Sequence, residues 1–194
     1  MHEVGHTLGL RHNFKGSTLY TVAEIQQRSL EEENVSLSAS VMDYLPANLA
    51  APTLPQGNYY CSTIGPYDYW ATDYGYRPLP DGATADEEKT TLEQIASLSG
   101  QPEHAYATDE ETRGIDSDPH SGMFDFGSNL LEFAEAQADV VAQSWPDLVT
   151  RVTQRGRLPP GSAGVWRPDD HPRAGHVCRI ALHRRHLCQP QSSG

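Results

Sequence analysis

The stretch Met1-His2-Glu3-Val4-Gly5-His6-Thr7-Leu8-Gly9-Leu10-Arg11-His12 decides how the rest of this chain is read. On a helix of about 3.6 residues per turn, positions four apart lie one above the other, so His2 and His6 aim their imidazoles at one point. Gly9 falls where that helix must stop, because only a residue without a Cβ takes the left-handed conformation cheaply. The turn then brings His12 back towards the same point. Three imidazoles converging in this way suit zinc, which takes nitrogen ligands at about 2.0–2.1 Å in tetrahedral geometry. Three protein ligands leave a fourth position for water, as in catalytic rather than closed structural sites. Glu3 stands beside the first ligand, where its carboxylate reaches that water without binding the metal, and it is the candidate general base.

A His-Glu-x-x-His string alone also arises by chance on ordinary surface helices. Gly9 and His12 in register make it more specific, and a further segment strengthens it. About thirty residues beyond His12 comes Ser40-Val41-Met42-Asp43-Tyr44. HExxHxxGxxH followed by such a methionine turn is the signature of metzincin zinc proteases, and the chain resembles that clan. More closely, HEVGHTLGLRHNFKGS (2–17), SVMDYLPAN (40–48), IGPYDYWATDYGY (64–76) and YATDEETRGIDSDPHSGMFDFG (106–127) resemble the bacterial Met-zincin, or EcxA-like, zinc-dependent metalloproteases. The likeness extends over roughly residues 1–155.

What the resemblance implies is a zinc metalloendopeptidase acting on protein or peptide substrates, secreted or periplasmic. It implies zinc on His2, His6 and His12, Met42 as an apolar floor beneath them, and Tyr44 as a side chain that approaches the metal and hydrogen-bonds the reacting carbonyl. The implied fold is mainly α with long irregular loops: a partial metzincin catalytic domain, its lower subdomain carrying the active-site helix and Met-turn, followed by further helices. Members carry an upper β-subdomain before the HExxH helix, so the chain reads as a fragment with that subdomain missing. Two physical points agree. His2 sits in the first turn of its helix, where fraying is expected, and no segment offers an edge strand to receive an extended peptide. The alternative is a catalytically inactive zinc-binding remnant or an interaction module.

The chain's 194 residues are 37% apolar, with mean hydropathy −0.58, so any core should be thin. No apolar run is long enough to span a membrane, and no leader pattern is present. Cys61, Cys178 and Cys188 are an odd number without metal-ligand spacing and say little about the compartment. Charge divides along the chain. Residues 1–155 carry eight Lys+Arg against 24 Asp+Glu, a net of −16, and residues 156–194 carry six Arg against two Asp, a net of +4. An acidic body repels phosphate backbones, which argues against nucleic acid as partner. Nothing in the sequence fixes the oligomeric state.

Three regions are expected: a zinc-binding lower subdomain over 1–80, an acidic helical extension over 81–155, and a basic, disordered His/Arg/Pro-rich tail over 156–194. A helix is expected over 2–8, then a loop over 10–20 that presents His12. Capping-box spacing at Thr21 and Glu24 opens a helix to about Arg28, with Val22 and Ile25 inward. Residues 45–58 read as loop, and the resemblance makes them a wall of the primed-side pocket. Pro66 heads a helix whose Tyr67, Tyr69, Trp70 and Tyr74 are read as core, closed by Gly75 and Pro78. A second capping box, Thr84 and Glu87, opens a helix ending near Gly100. Residues 101–127 read as a solvated acidic loop without EF-hand spacing for calcium. Residues 128–155 form the longest helical pattern, with an apolar stripe and a kink or restart at Pro146. A second zinc set, His176, Cys178, His183 and His186, has suitable ligand types but no recognisable spacing.

Overall fold

The computed structural model describes residues 1–113 and 117–154. The expected tail, its candidate second zinc set and Asp116 of the acidic run lie outside the described residues. Six α-helices are described: α1 (His2–Thr7), α2 (Val22–Glu31), α3 (Pro66–Tyr76), α4 (Ala85–Ala96), α5 (Asp109–Thr112) and α6 (Leu130–Gln154), joined by long loops and short 3-10 turns. No strand occurs among the described residues, and none of their helices is long and apolar enough to cross a membrane. Met1–Ala136 form one compact unit, and a second begins at Gln137.

The helix starts follow from local chemistry. Thr21 Oγ1 accepts from the Glu24 N–H while Glu24 Oε2 accepts from the Thr21 N–H, which satisfies two donors that the first turn leaves unpaired. Thr84 and Glu87 repeat the arrangement at the head of α4, which closes through a 3-10 turn at Ser97–Gly100. Helix α2 turns Val22 and Ile25 inward as expected, together with the polar Gln26 and Ser29. Ile25 joins Val35, Leu37 and Phe126 in a small apolar core flanked by Tyr20, Leu45 and Phe133.

Much of the interior is polar, and hydrogen bonding accounts for it. Ser36, Ser38 and Ser40 alternate with Val35, Leu37 and Ala39, and all six are buried. Ser36 Oγ donates to the Ser38 carbonyl and Ser38 Oγ to the Ser40 carbonyl, while the Ala39 N–H donates to the Gly16 carbonyl and the Ala39 carbonyl accepts from the Tyr67 N–H. Loop 45–58 is irregular, and buried amides stitch it to α2. Gln26 Nε2 donates to Asn48 Oδ1 at 2.7 Å, and Gln26 Oε1 accepts from the Gly57 N–H at 2.8 Å.

Three expectations change. In α3, Tyr67 is buried, and half-buried Trp70 donates from Nε1 to the Ile95 carbonyl and stacks on His104. Tyr69 and Tyr74 are exposed, because Tyr69 leaves the 67/70/74 face and Tyr74 borders an open groove with Ala85, Glu88 and Leu92. Helices α3 and α4 contact each other within the unit Met1–Ala136. Second, the acidic loop contains α5, at whose head the Thr108 N–H donates to Glu111 Oε2, and carboxylates of the loop are engaged. Glu110 takes Arg11, Asp118 takes Lys15 at 2.6 Å, and Asp125 accepts from Ser17 Oγ. Third, α6 runs through Pro146 to Gln154; near its start Ala136 is buried and Phe133 half-buried, while Leu131, Val141 and Leu148 are exposed.

Candidate metal centre

Helix α1 ends as its glycine dictates. Gly9 has φ +85°, its N–H donates to the His6 carbonyl, and the Leu10 N–H donates to the Gly5 carbonyl. These two bonds close the helix in a Schellman turn. The chain then reverses, and Asn13, fully buried, locks the far side. Its N–H donates to the Met42 carbonyl and its Nδ2 to the Ala105 carbonyl, while its Oδ1 accepts from the Ala107 N–H. His12 is thereby delivered to the α1 histidines.

The three rings meet. Their centroids stand 4.8 Å (His2–His6), 5.0 Å (His6–His12) and 5.4 Å (His2–His12) apart. Their ligand atoms lie within 4.8 Å of one another, the one grouping of three His, Cys, Asp or Glu side chains among the described residues placed to share an ion. Each Nδ1 already has a partner. His2 Nδ1 meets the Val41 carbonyl at 2.7 Å, His6 Nδ1 the Leu10 carbonyl at 2.9 Å, and His12 Nδ1 meets Asp109 Oδ2 at 3.0 Å. A carbonyl or carboxylate oxygen can only accept, so each Nδ1 carries the proton and each neutral ring keeps its lone pair on Nε2. His2 Nε2 and His12 Nε2 are buried with no hydrogen-bond partner. Buried, unpaired lone pairs aimed at one point fit a zinc ion and are costly without a ligand.

Met42 is fully buried against α1, where a Cβ on Gly5 would overlap its sulfur. Glycine at position 5 is what lets the Met-turn approach α1. Buried Asp68 of α3 holds the turn in place: Oδ1 accepts from Ser40 Oγ at 2.6 Å, and Oδ2 accepts from the Val41 and Gly65 N–H groups at 2.8 Å. Val41 in turn anchors His2, so α3 orients the first imidazole through one intervening residue. The His2 ring expected to fray is tied to the Met-turn.

Tyr44 lies beside the rings, its own ring 5.3 Å from His2 and 4.6 Å from His12. Glu3 is exposed on α1 and makes no hydrogen bond or ion pair with a described residue. Asp109, which sequence reasoning missed as a site residue, is held below the usual carboxylate range by the hydrogen bond from His12, with Arg113 and Arg11 adding to it. Glu110 beside it takes Arg11 in a two-pronged bond at 2.8 Å. Within the Met-turn, burial pushes the Asp43 carboxyl up to about 7, against the pull of the Ser17 N–H and with Asp125 adding to the rise.

Two histidines on a short helix and a third delivered by its glycine turn form a triad that could hold a metal ion. The Met-zincin family model matches residues 1–158, and the chain belongs to that family. Zinc binding and peptidase-type chemistry are what that membership implies. No curated protein and no solved structure matches the chain.

Proposed function

We propose that this chain is a zinc-dependent metalloendopeptidase in which His2, His6 and His12 hold the metal, Glu3 is the general base and Tyr44 assists the oxyanion. The observation that carries this is that each of the three Nδ1 atoms meets an acceptor oxygen while His2 Nε2 and His12 Nε2 are buried without a hydrogen-bond partner. Zinc held there supplies a Lewis acid and brings the pKa of a coordinated water towards about 7.

The protein's own groups do the rest. Glu3, next to His2 and free of other partners, accepts the proton of the attacking water and returns it to the leaving amine. Tyr44 donates its hydroxyl to the oxygen that gains charge, an interaction type worth about 2.7–4 kcal/mol. The Asp109 carboxylate keeps the His12 proton on Nδ1 and stabilises the ring as a ligand. The test is Glu3→Ala, assayed with a fluorogenic peptide and by zinc content. Zinc should stay at one per chain while the rate falls by roughly 100-fold or more. A full rate in that variant removes Glu3 from the mechanism.

A further inference from the structure

Phe124 has φ +62°, the one non-glycine residue with a left-handed backbone among the described residues, and its side chain is 64% exposed. Neither condition favours a bulky apolar residue: glycine would adopt this backbone freely, and water would be better faced by a polar group. A single exposed aromatic is ordinary on a protein surface. The combination with backbone strain is not, and strain of this kind gathers at functional sites.

The loop that carries it is pinned on both sides. Ser121 is fully buried and its Oγ donates to the Glu111 and Asp118 carbonyls. Asp125 accepts from Ser17 Oγ, Phe126 is in the core, and the Gly127 N–H donates to the Ser17 carbonyl. Phe124 itself donates its N–H to the Tyr44 carbonyl at 2.8 Å. The surroundings thus hold the strained conformation and present the ring outward. Its plane lies 11° from that of Tyr44 with centroids 6.1 Å apart, and Tyr44 in turn lies against His2 and His12. A row of aromatic faces therefore leads from solvent to the three imidazoles.

We infer that Phe124 and Tyr44 form an apolar shelf beside the metal centre that receives an aromatic or branched aliphatic side chain of the peptide substrate near the scissile bond, which makes Phe124 a specificity-determining residue. This rests on the peptidase function proposed above. An aromatic side chain stacks offset on such a shelf and buries its face and that of Phe124 together, a gain that alanine or aspartate at the same position lacks.

The test is Phe124→Gly, which removes the ring and relieves the backbone. Blocked hexapeptides that differ only in Phe against Ala, scanned over each position, are titrated by NMR into the metal-free chain and assayed for cleavage by the zinc-loaded chain. At one position wild type should favour Phe by about tenfold in affinity and in kcat/KM. The variant should reduce that ratio to about twofold or less, with a Tm equal to or above wild type. Retained discrimination in Phe124→Gly, no discrimination by wild type, or a lowered Tm, which would assign the ring to the fold, each overturns the inference. Failure of the zinc-loaded chain to cleave any peptide would instead count against the peptidase reading, while the metal-free titration still reports on the shelf.

Discussion

Each imidazole at the centre has one nitrogen committed to the protein and one left for a ligand, and the partners that commit them are the residues hardest to see in a sequence. The spacing of His2, His6 and His12 is legible because helix geometry and one glycine determine where the rings go. Asp109 is not, since it stands far along the chain in an acid-rich run where nothing marks one carboxylate from the next. Asp68 is hidden likewise inside the aromatic string 64–76, yet it makes two bonds that hold the Met-turn and a third, from the Gly65 N–H, that caps its own helix. Removing the Asp109 carboxylate frees the His12 ring to rotate and to change tautomer. Asp109→Ala should weaken zinc binding by about 10–100-fold in a competitive chelator titration, with Asp109→Asn milder because its amide oxygen still accepts. Unchanged affinity in the alanine variant would mean that His12 is oriented by something else.

Helix α1 is six residues long, too short to persist on its own. The Met-turn stabilises it, through the Val41 carbonyl at the His2 ring and the Met42 sulfur against Gly5. Gly5→Ala should destabilise the chain by about 1–3 kcal/mol in urea unfolding, through overpacking against Met42. Removal of the obstruction in Gly5→Ala/Met42→Ala should make the two effects non-additive. Strict additivity would place the methionine away from the helix. Capping boxes make the starts of α2 and α4 readable, and the same spacing at Thr108–Glu111 heads α5, a single turn masked by the Gly, Ser and Pro signals around it. Tyr69 and Tyr74 of α3 are exposed where aromatic character suggests burial, because Tyr69 lies off the partnered face and Tyr74 borders an open groove.

Among the described residues the core is small, and hydrogen-bonded serines, amides and carboxylates fill much of the interior. The low apolar content forecasts the thin core, but not the pairings that satisfy it, since these join residues distant in sequence. One of these polar groups makes stability depend on pH. The folded Asp43 carboxyl titrates near 7 against an ordinary value of 3.8, so between those limits the folded state binds the extra proton. Stability from this group is therefore full below about pH 4 and is lost as pH rises through about 7. Urea unfolding of the metal-free chain should show wild type losing stability relative to Asp43→Asn over that window, with a slope of up to about 1.4 kcal/mol per pH unit. Parallel curves would mean that Asp43 is ionised in the fold at no cost. The central claim concerns the metal, and X-ray absorption on the zinc-loaded chain tests it most directly. Three imidazole nitrogens and one oxygen at about 2.0–2.1 Å are predicted, whereas a sulfur neighbour near about 2.3 Å, or fewer than three imidazoles, would contradict it.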